Sequence, residues 1–357
     1  MFAGARSILV VKLSSIGDVV QSLPVAAALR RRYPEAHIAW AVKPPAAEVV
    51  AGNPHLTETL VVGGSGASAA GVQSVPPLGA PIRLARALRE RRFELALDMQ
   101  GLLKSALIAY LSGARDRIGF RNLQEGAFLL NNRRIVPDRR DIHAVEVYLA
   151  FAEAVGAPVG PPDFTIATSE QDRRVAAGLL ADVDNPVALI PGARWESKRW
   201  PPERFAAVAD ALSEELGCTA VVVGGAGDRE LAEGIAAAAR SRTVDLTGKT
   251  TLKQLTEVFR GCRATISNET GPMYISAAAG TPTVAIFGPT DPNRLGPYGE
   301  GHAKVTAGVP CGPCRKRRCE PLRCMEAIGP EQVLEAARGV MGGTASGGRS
   351  GGVGGSA

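Results

Sequence analysis

The chain has 357 residues, of which 45% are hydrophobic and 21% are charged, and its formal net charge is +6. This length suits two domains of ordinary size, and this composition excludes a fibrous or largely disordered protein. No apolar run reaches the ~18 residues that a membrane span requires, and the N-terminus lacks the cleavage site of a signal peptide. We therefore expect the protein to be made and kept in the cytoplasm.

The positive charge is concentrated in the first half of the chain. Residues 1–165 hold 19 Lys and Arg against 14 Asp and Glu, a balance of +5, and the remainder contributes +1. A basic half favours an acidic partner such as phosphate, nucleic acid or an anionic membrane surface. Runs such as RRR at 30–32 are better explained as solvated helix faces than as a surface for such a partner.

Short apolar runs alternate with amphipathic stretches in chain order. Strand-like runs occur at 7–13, 37–42, 59–62, 95–99, 186–191, 219–225, 243–246, 263–268 and 281–288. Helical periodicity occurs between them, for example at 19–33, 82–92, 202–217 and 229–241. This alternation predicts buried parallel strands in βαβ units, and hence an α/β fold of two doubly wound, Rossmann-like domains facing across a cleft.

One stretch interrupts this rhythm. Residues 155–172, VGAPVGPPDFTIATSEQD, are rich in proline, glycine and polar residues and are predicted to form the interdomain linker. We place the domains at 1–165 and 166–341, with the last helix able to pack back on the first domain. Residues 342–357 lack the apolar side chains that a core needs, so we expect a disordered, Gly/Ser-rich tail.

The first predicted strand runs directly into a polar turn, within VVKLSSIGDVVQSLP at 10–24. Ser14 or Ser15 can cap the following helix, and Asp18 favours its positive end, so capping alone is one explanation of the turn. The other explanation is a ligand site, because ligands of doubly wound sheets bind at the carboxyl ends of strands.

Four polar loops of the second half also follow predicted strands. They contain Arg194 with Lys198, Asp228 with Glu230, Thr270 with Gly271, and the sequence FGPTDPNRLGPYG. Cationic side chains beside a helix N-terminus suit a diphosphate, and an acidic residue on a neighbouring glycine turn suits ribose hydroxyls. Each loop alone is more often a turn or a cap, but four at one sheet edge predict a nucleotide site.

At these residues the sequence resembles glycosyltransferase family 9, the heptosyltransferases, from residue 8 to about residue 339. The resemblance is carried by VVKLSSIGDVVQSLP, DMQGLLKSAL, IHAVEVY, SKRWPPERF, NETGPM and FGPTDPNRLGPYG. It implies a GT-B fold and inverting transfer of heptose from ADP-heptose to the Kdo and inner-core region of lipopolysaccharide, without cofactor or metal. DMQGLLKSA and GPTDP…GPYG look closest to heptosyltransferase I, whereas PCGPCRKRRC resembles other branches, including some heptosyltransferases II.

The resemblance also implies roles for individual residues. Asp18 matches the general base that takes a proton from the acceptor hydroxyl, and Lys198 matches the lysine that holds the diphosphate and stabilises departing charge. We assign acceptor binding to Lys12, Ser15, Gln100 and Lys104. We assign ADP-sugar binding to Arg194, Lys198, Asp228, Glu230, Glu269, Thr270 and Gly271.

Two departures from the family pattern keep an alternative open. Glu269 and Tyr274 stand where the family usually has aspartate and histidine, so another GT-B enzyme, a transferase for a different sugar or a sugar-nucleotide epimerase, is the alternative. The loop at 63–81 lacks the basic residues that heptosyltransferase I carries there for its acceptor. Arg83, Arg86 and Arg89 on the next helix are either their substitutes or a solvated face.

Four cysteines have the spacing C-x2-C-x4-C-x4-C, at Cys311, Cys314, Cys319 and Cys324. This spacing is able to wrap a zinc ion or an iron–sulfur cluster, but it matches no standard zinc module, and we expect free or disulfide-capable thiols. We expect the remaining two cysteines to be core residues, and we expect His143 to order the interdomain region.

The expected partners are an ADP-sugar donor and an anionic, lipid-linked acceptor such as Kdo-lipid A. We expect weak, salt-sensitive contact with the inner face of the cytoplasmic membrane. Nucleic acid is not expected, because only 5% of the residues are aromatic and stacking on bases is poorly supported. An NAD-dependent enzyme is supported less still, because no G-x-G-x-x-G follows the first strand.

Overall fold

The computed structural model describes residues 4–64, 71–121, 125–136 and 142–342. Apart from Gly342, the predicted tail at 342–357 lies outside the described residues, as does part of the loop at 63–81. The strands are β1 (Ser7–Val11), β2 (His37–Val42), β3 (Glu58–Val62), β4 (Val72–Val75), β5 (Leu95–Asp98), β6 (Asp116–Phe120), β7 (Arg133–Ile135), β8 (Pro186–Ile190), β9 (Thr219–Val222), β10 (Thr243–Asp245), β11 (Ala264–Asn268), β12 (Thr283–Phe287) and β13 (Ala303–Thr306). The helices are α1 (Ile16–Arg32), α2 (Pro44–Val50), α3 (Pro81–Arg89), α4 (Leu103–Leu111), α5 (Ala144–Ala154), α6 (Glu170–Leu179), α7 (Pro202–Leu216), α8 (Arg229–Ala238), α9 (Leu252–Gly261), α10 (Gly271–Ala278), α11 (Pro292–Leu295), α12 (Arg323–Glu326) and α13 (Pro330–Met341).

The first sheet is parallel, with strand order β4-β3-β2-β1-β5-β6-β7 within the described residues. Successive residues of a strand face opposite sides of a sheet. Accordingly, Ile8 and Val10 of β1 belong to a core shared with α1 and α5, whereas Leu9 and Val11 belong to one shared with α3 and α4. Helices therefore cover both faces, as a doubly wound fold requires.

The second sheet is also parallel, in the order β10-β9-β8-β11-β12-β13 among the described residues. In β8, Val187 and Leu189 belong to a core shared with α7 and α13, and Ala188 and Ile190 to one shared with α9 and α10. Helix α7 begins at Pro202, directly after Pro201, and its C-cap residue is Gly217, whose φ of 60° favours glycine. The predicted α/β class with two parallel sheets is confirmed.

The last helix, α13, packs on the second domain. Helix α13 packs against α7 and against strands β11, β12 and β13, all of the second sheet. Its apolar residues Val333, Ala337 and Val340 are buried in the core of that sheet. The expectation that it packs back on the first domain is wrong, because its apolar face completes the outer layer of the second.

One hydrophobic core continues from the first sheet into the second. It includes Val20 of α1 and Tyr148 of α5 together with Met273 and Ile275 of α10. Helices α1 and α10 pack closely, and a Cβ atom added to Gly17 would lie 2.5 Å from the ring of Tyr274. Only glycine permits this approach, which brings the N-terminal ends of the two helices together.

Each sheet has a point where its strand order reverses. In the first sheet this point lies between β1 and β5, and in the second it lies between β8 and β11. In open α/β sheets, ligands bind in the crevice outside the carboxyl ends of the strands at such a point. The polar turns after β1, β5, β8 and β11 are therefore the places to look for a site.

Candidate active site

The carboxylate of Asp18 is held from three sides at the N-terminal end of α1. The backbone N–H and the hydroxyl of Ser15 donate to Oδ2 at 3.0 and 2.7 Å, and the hydroxyl of Tyr148 donates to Oδ1 at 3.0 Å. Lys12 Nζ lies 3.9 Å from Oδ1, and 41% of the Asp18 side chain is exposed. Asp18 therefore takes part in capping the helix and also presents a partly exposed carboxylate to the cleft.

The electrostatics of this group keep the carboxylate ionised. Burial alone raises the pKa of Asp18, but Lys12, Ser15 and Tyr148 outweigh it, and the pKa lies below the ordinary carboxyl value. Burial lowers the pKa of Lys12, which the carboxylates of Asp18 and Asp98 offset only in part. An ionised carboxylate at a cleft is able to accept a proton from a bound hydroxyl.

The side chain of Gln100 stabilises the turn that follows β1. Its Oε1 accepts from the backbone N–H groups of Leu13 and Ser14 at 3.2 and 3.1 Å. The fully buried Asp98 accepts from Gly101 N at 3.1 Å and Asn131 Nδ2 at 3.0 Å, and burial raises its pKa. Lys12, Ser15, Asp18 and Gln100 thus form one cluster at the reversal point of the first sheet.

Lys198 and Glu269 form the corresponding cluster in the second sheet. Lys198 Nζ lies 2.8 Å from Glu269 Oε2 and 4.3 Å from the centre of the Trp195 ring. Glu269 is buried and also accepts a hydrogen bond from Thr290. A loop after β8 and a loop after β11 thus supply a largely buried cation and its partner.

Thr270 and Gly271 begin α10 immediately beside this cation. Thr270 is the N-cap residue, and a Cβ atom added to Gly271 would lie 3.1 Å from Ile16 Cβ of the first domain. Both Glu269 and Asp18 contribute to raising the pKa of Tyr274, after burial, so the two clusters flank this tyrosine. A helix N-terminus and a lysine together suit a phosphate-bearing ligand.

The other predicted donor residues lie further along the same sheet edge. Asp228 accepts from Gly225 N at 2.9 Å, and a Cβ atom added to Gly192 would lie 2.5 Å from its carboxylate. The loops after β8 and β9 therefore touch at this residue. Arg194 is exposed on the loop after β8, and Glu230 is exposed on the first turn of α8, directly after the loop that follows β9.

On the acceptor side, Lys104 is half-buried on the first turn of α4, after the loop that carries Gln100. Arg83, Arg86 and Arg89 are exposed on α3. They have no hydrogen bond or ion pair with the Asp18 cluster among the described contacts, and Arg86 pairs with Glu90 at 3.7 Å.

Helix α5, which carries the motif IHAVEVY, connects the two domains. His143 caps the helix, accepting from Val145 N at 3.2 Å, and its Nε2 lies 2.9 Å from the Gly296 carbonyl oxygen of the second domain. Tyr298 donates a hydrogen bond to Glu146. His143 therefore orders the interdomain region in this structure.

The cysteine-rich segment lies beside the loop of Lys198. Its four cysteines are free thiols that line one cavity, and no three His, Cys, Asp or Glu side chains of the described residues are arranged to hold a metal ion. Ser197 Oγ donates to the Lys316 carbonyl oxygen at 2.7 Å, and Arg317 lies 5.4 Å from the Trp195 ring. The cysteine-rich segment thus packs against the loop that carries Lys198. Cys218 and Cys262 are buried in the core.

Three residues of the site were missed from the sequence. Tyr148 was visible only as the last letter of IHAVEVY, Trp195 only as a neighbour of Lys198, and Thr290 only within GPTDP. Tyr148 and Thr290 reach their partners only through the tertiary fold, so no local signal marks them, whereas Trp195 lies three residues before Lys198 and was open to a local prediction.

Comparison with known proteins gives consistent matches. The sequence model of glycosyltransferase family 9 (heptosyltransferase) matches residues 82–324. Lipopolysaccharide heptosyltransferase 1 of Pseudomonas aeruginosa is 30% identical over 321 residues, which cover 87% of each chain. Lipopolysaccharide core heptosyltransferase OpsX of Haemophilus influenzae is 27% identical, with 82% of each chain covered.

Solved structures show the same fold. The structure of Escherichia coli ADP-heptose lipopolysaccharide heptosyltransferase II superposes with a TM-score of 0.76 at 24% identity, covering 95% of this chain and 100% of that one. The E. coli heptosyltransferase WaaC with ADP gives a TM-score of 0.68 at 22% identity, covering 92% and 98%. The two parallel sheets thus have the GT-B arrangement that was predicted.

Proposed function

This chain belongs to glycosyltransferase family 9, and we propose that it moves heptose from ADP-heptose to the Kdo and inner-core region of lipopolysaccharide with inversion. The observation that carries the proposal is the position of Asp18 and Lys198 at the reversal points of two sheets, on either side of the contact between α1 and α10. The relatives are named as lipopolysaccharide heptosyltransferases, and the solved structure of WaaC contains ADP. These names do not favour the alternative of an epimerase or of another sugar.

The proposed reaction is a single displacement. The acceptor hydroxyl oxygen attacks the anomeric carbon and forms the new C–O bond, while its proton passes to Asp18. The bond from the anomeric carbon to the diphosphate oxygen breaks, and ADP leaves from the opposite face with its added negative charge. Lys198 and the N-terminus of α10 stabilise that charge. The remaining assigned residues, Lys12, Ser15, Gln100, Lys104, Arg194, Asp228, Glu230, Glu269, Thr270 and Gly271, bind the two substrates in this proposal.

We also propose that the acceptor is an anionic, lipid-linked sugar and that the enzyme contacts the membrane peripherally. The uneven charge supports this proposal, since residues 1–165 carry +5. Within the described residues, no helix is both long and apolar enough to cross a membrane.

The first test is the reaction itself. The full chain is incubated with ADP-heptose and Kdo-lipid A, and the product is analysed for the added mass of one heptose. Asp18→Asn is expected to retain ADP binding and to lower kcat by about 10²–10⁴-fold, because the hydroxyl proton has lost its acceptor.

The chain offers a matched control for this variant. Asp172 accepts from Ser169 N and Oγ at 2.8 and 2.6 Å, the same capping arrangement that Asp18 makes with Ser15. Asp172→Asn is expected to keep normal turnover. Near-normal turnover by folded Asp18→Asn, or an equal loss in both variants, refutes the role of Asp18 as base.

A further inference from the structure

We infer that Tyr148 is a positioning residue for the catalytic carboxylate, holding Asp18 ionised and in one orientation through its hydroxyl. The inference rests on the proposed role of Asp18 as general base. Tyr148 is contributed by α5, far along the chain from α1, and it was not among the residues assigned to the site from the sequence.

The geometry gives the two carboxylate oxygens separate anchors. Tyr148 donates to Oδ1 at 3.0 Å, whereas both donors of Ser15 reach Oδ2. With Ser15 alone, the carboxylate is fixed at one oxygen and is able to rotate about its own bond. The second anchor removes this freedom, which matters because proton transfer needs a base held at hydrogen-bond distance from the acceptor hydroxyl.

The surroundings keep Tyr148 as a donor. Its side chain is buried, and Lys12 Nζ lies 4.7 Å from its ring centre. Burial, and then the charge of Asp18, raise the pKa of Tyr148. The phenol therefore keeps its proton at neutral pH, where Asp18 is ionised.

The groups that face Asp18 come from several elements. Lys12 lies on the turn after β1, Tyr148 on α5 and Tyr274 on α10, with Glu269 facing Tyr274 from the loop after β11. Among the described residues, Ser15 and Tyr148 are the hydrogen-bond donors to the Asp18 carboxylate. Removing the Tyr148 hydroxyl thus changes one of two anchors and leaves the charges in place.

Helix α5 also carries the contacts of His143 and Glu146 with the second domain. The same helix therefore touches the base of one domain and the loop around Gly296 and Tyr298 of the other.

The test is Tyr148→Phe in the full chain. The Asp18 carboxyl is followed by carbon NMR as a function of pH, and its pKa is expected to rise by about half to one unit, because a hydrogen bond to the charged form is lost. In the heptose-transfer assay, kcat is expected to fall by about tenfold with ADP affinity unchanged, and the acidic limb of the kcat/KM profile moves to higher pH.

Tyr33→Phe is the matched control. Tyr33 is also buried, and its hydroxyl donates to the Val155 carbonyl oxygen at 3.0 Å at the far end of the same helix pair. It is expected to leave the pKa of Asp18 unchanged. In an Asp18→Asn background, Tyr148→Phe is expected to cause no further loss of turnover, since it acts through the carboxylate.

The outcomes separate the two proposals. An unchanged pKa of Asp18 in Tyr148→Phe, an equal rise in Tyr33→Phe, or a further tenfold loss in the Asp18→Asn background overturns the role of Tyr148. Absence of heptose transfer by the wild-type chain overturns the proposed function alone, because the NMR titration needs no substrate.

Discussion

At the scale of single residues, the candidate site combines one carboxylate that faces the cleft with one cation held by a buried partner. Lys198 is 13% exposed and lies 2.8 Å from Glu269, so its charge is compensated before any ligand arrives. A diphosphate that binds to Lys198 adds a second anion beside the ammonium group. The buried Glu269 holds that ammonium group in one position. Charge-assisted contacts of this kind are stronger than neutral ones.

Lys198→Ala is therefore expected to weaken ADP binding by about tenfold or more and to lower turnover by about 10²-fold, because negative charge grows on ADP as it leaves. Calorimetry with ADP and the transfer assay measure the two effects. Lys249→Ala, at an exposed lysine of the same domain that donates to the Asp245 carbonyl oxygen, serves as the control. Unchanged affinity together with unchanged turnover in Lys198→Ala contradicts the assignment.

At the scale of secondary-structure elements, a half-buried histidine links the last two strands at one edge of the second sheet. His302 precedes β13, and its Nδ1 accepts from the first backbone N–H of β12, at Thr283, at 3.2 Å. Burial lowers the pKa of His302 to about 4. The folded chain therefore holds this imidazole neutral where an unfolded chain, with a pKa of about 6.5, binds a proton.

The free energy of unfolding is expected to fall as the pH drops from about 6.5 to about 4, by about 1–3 kcal/mol from this residue, because only the unfolded state takes up the proton in that range. His302→Asn keeps an acceptor near Thr283 and does not titrate. Denaturant unfolding at pH 7.5 gives the cost of the substitution itself, and unfolding at pH 5 gives the pH effect. If both chains lose the same stability between these pH values, His302 is not the cause.

At the scale of the whole molecule, the asymmetry of charge gives the first domain a basic surface. Arg83, Arg86 and Arg89 are exposed on α3, next to Ile82, whose side chain is 85% exposed. Basic residues near an anionic membrane contribute about 1 kcal/mol each and are screened within a Debye length. We propose that the membrane contact consists of Lys104, Arg117 and Arg121 together with this surface of α3.

Anionic liposomes are expected to float the full chain at low salt and to release it at high salt. Replacing Arg83, Arg86 and Arg89 by glutamine is expected to weaken flotation without changing ADP affinity, because α3 lies away from the donor cluster. Flotation that persists at high salt, or no flotation at low salt, contradicts an electrostatic contact.

The arrangement of strands was only partly predictable. The nine strand-like runs correspond to β1, β2, β3, β5, β8, β9, β10, β11 and β12. Most of these are buried parallel strands, which are rich in apolar residues, whereas β10 is a half-buried edge strand. The strands missed were β4, β6, β7 and β13, which lie at or next to sheet edges. Sequences such as RRI in β7 form strands only because a neighbouring strand supplies the hydrogen bonds.

The sequence by itself determined the strand–turn–helix units that carry Asp18, Gln100, Lys198 and Thr270, because hydrophobic pattern and capping residues are local properties. The tertiary structure decided which of these turns meet. The hydrogen bond from Tyr148 to Asp18 spans 130 residues, and Lys198 meets Glu269 only because β8 and β11 are adjacent strands. Such contacts depend on strand order and helix packing, which arise when distant apolar faces bury one another and which no short motif encodes.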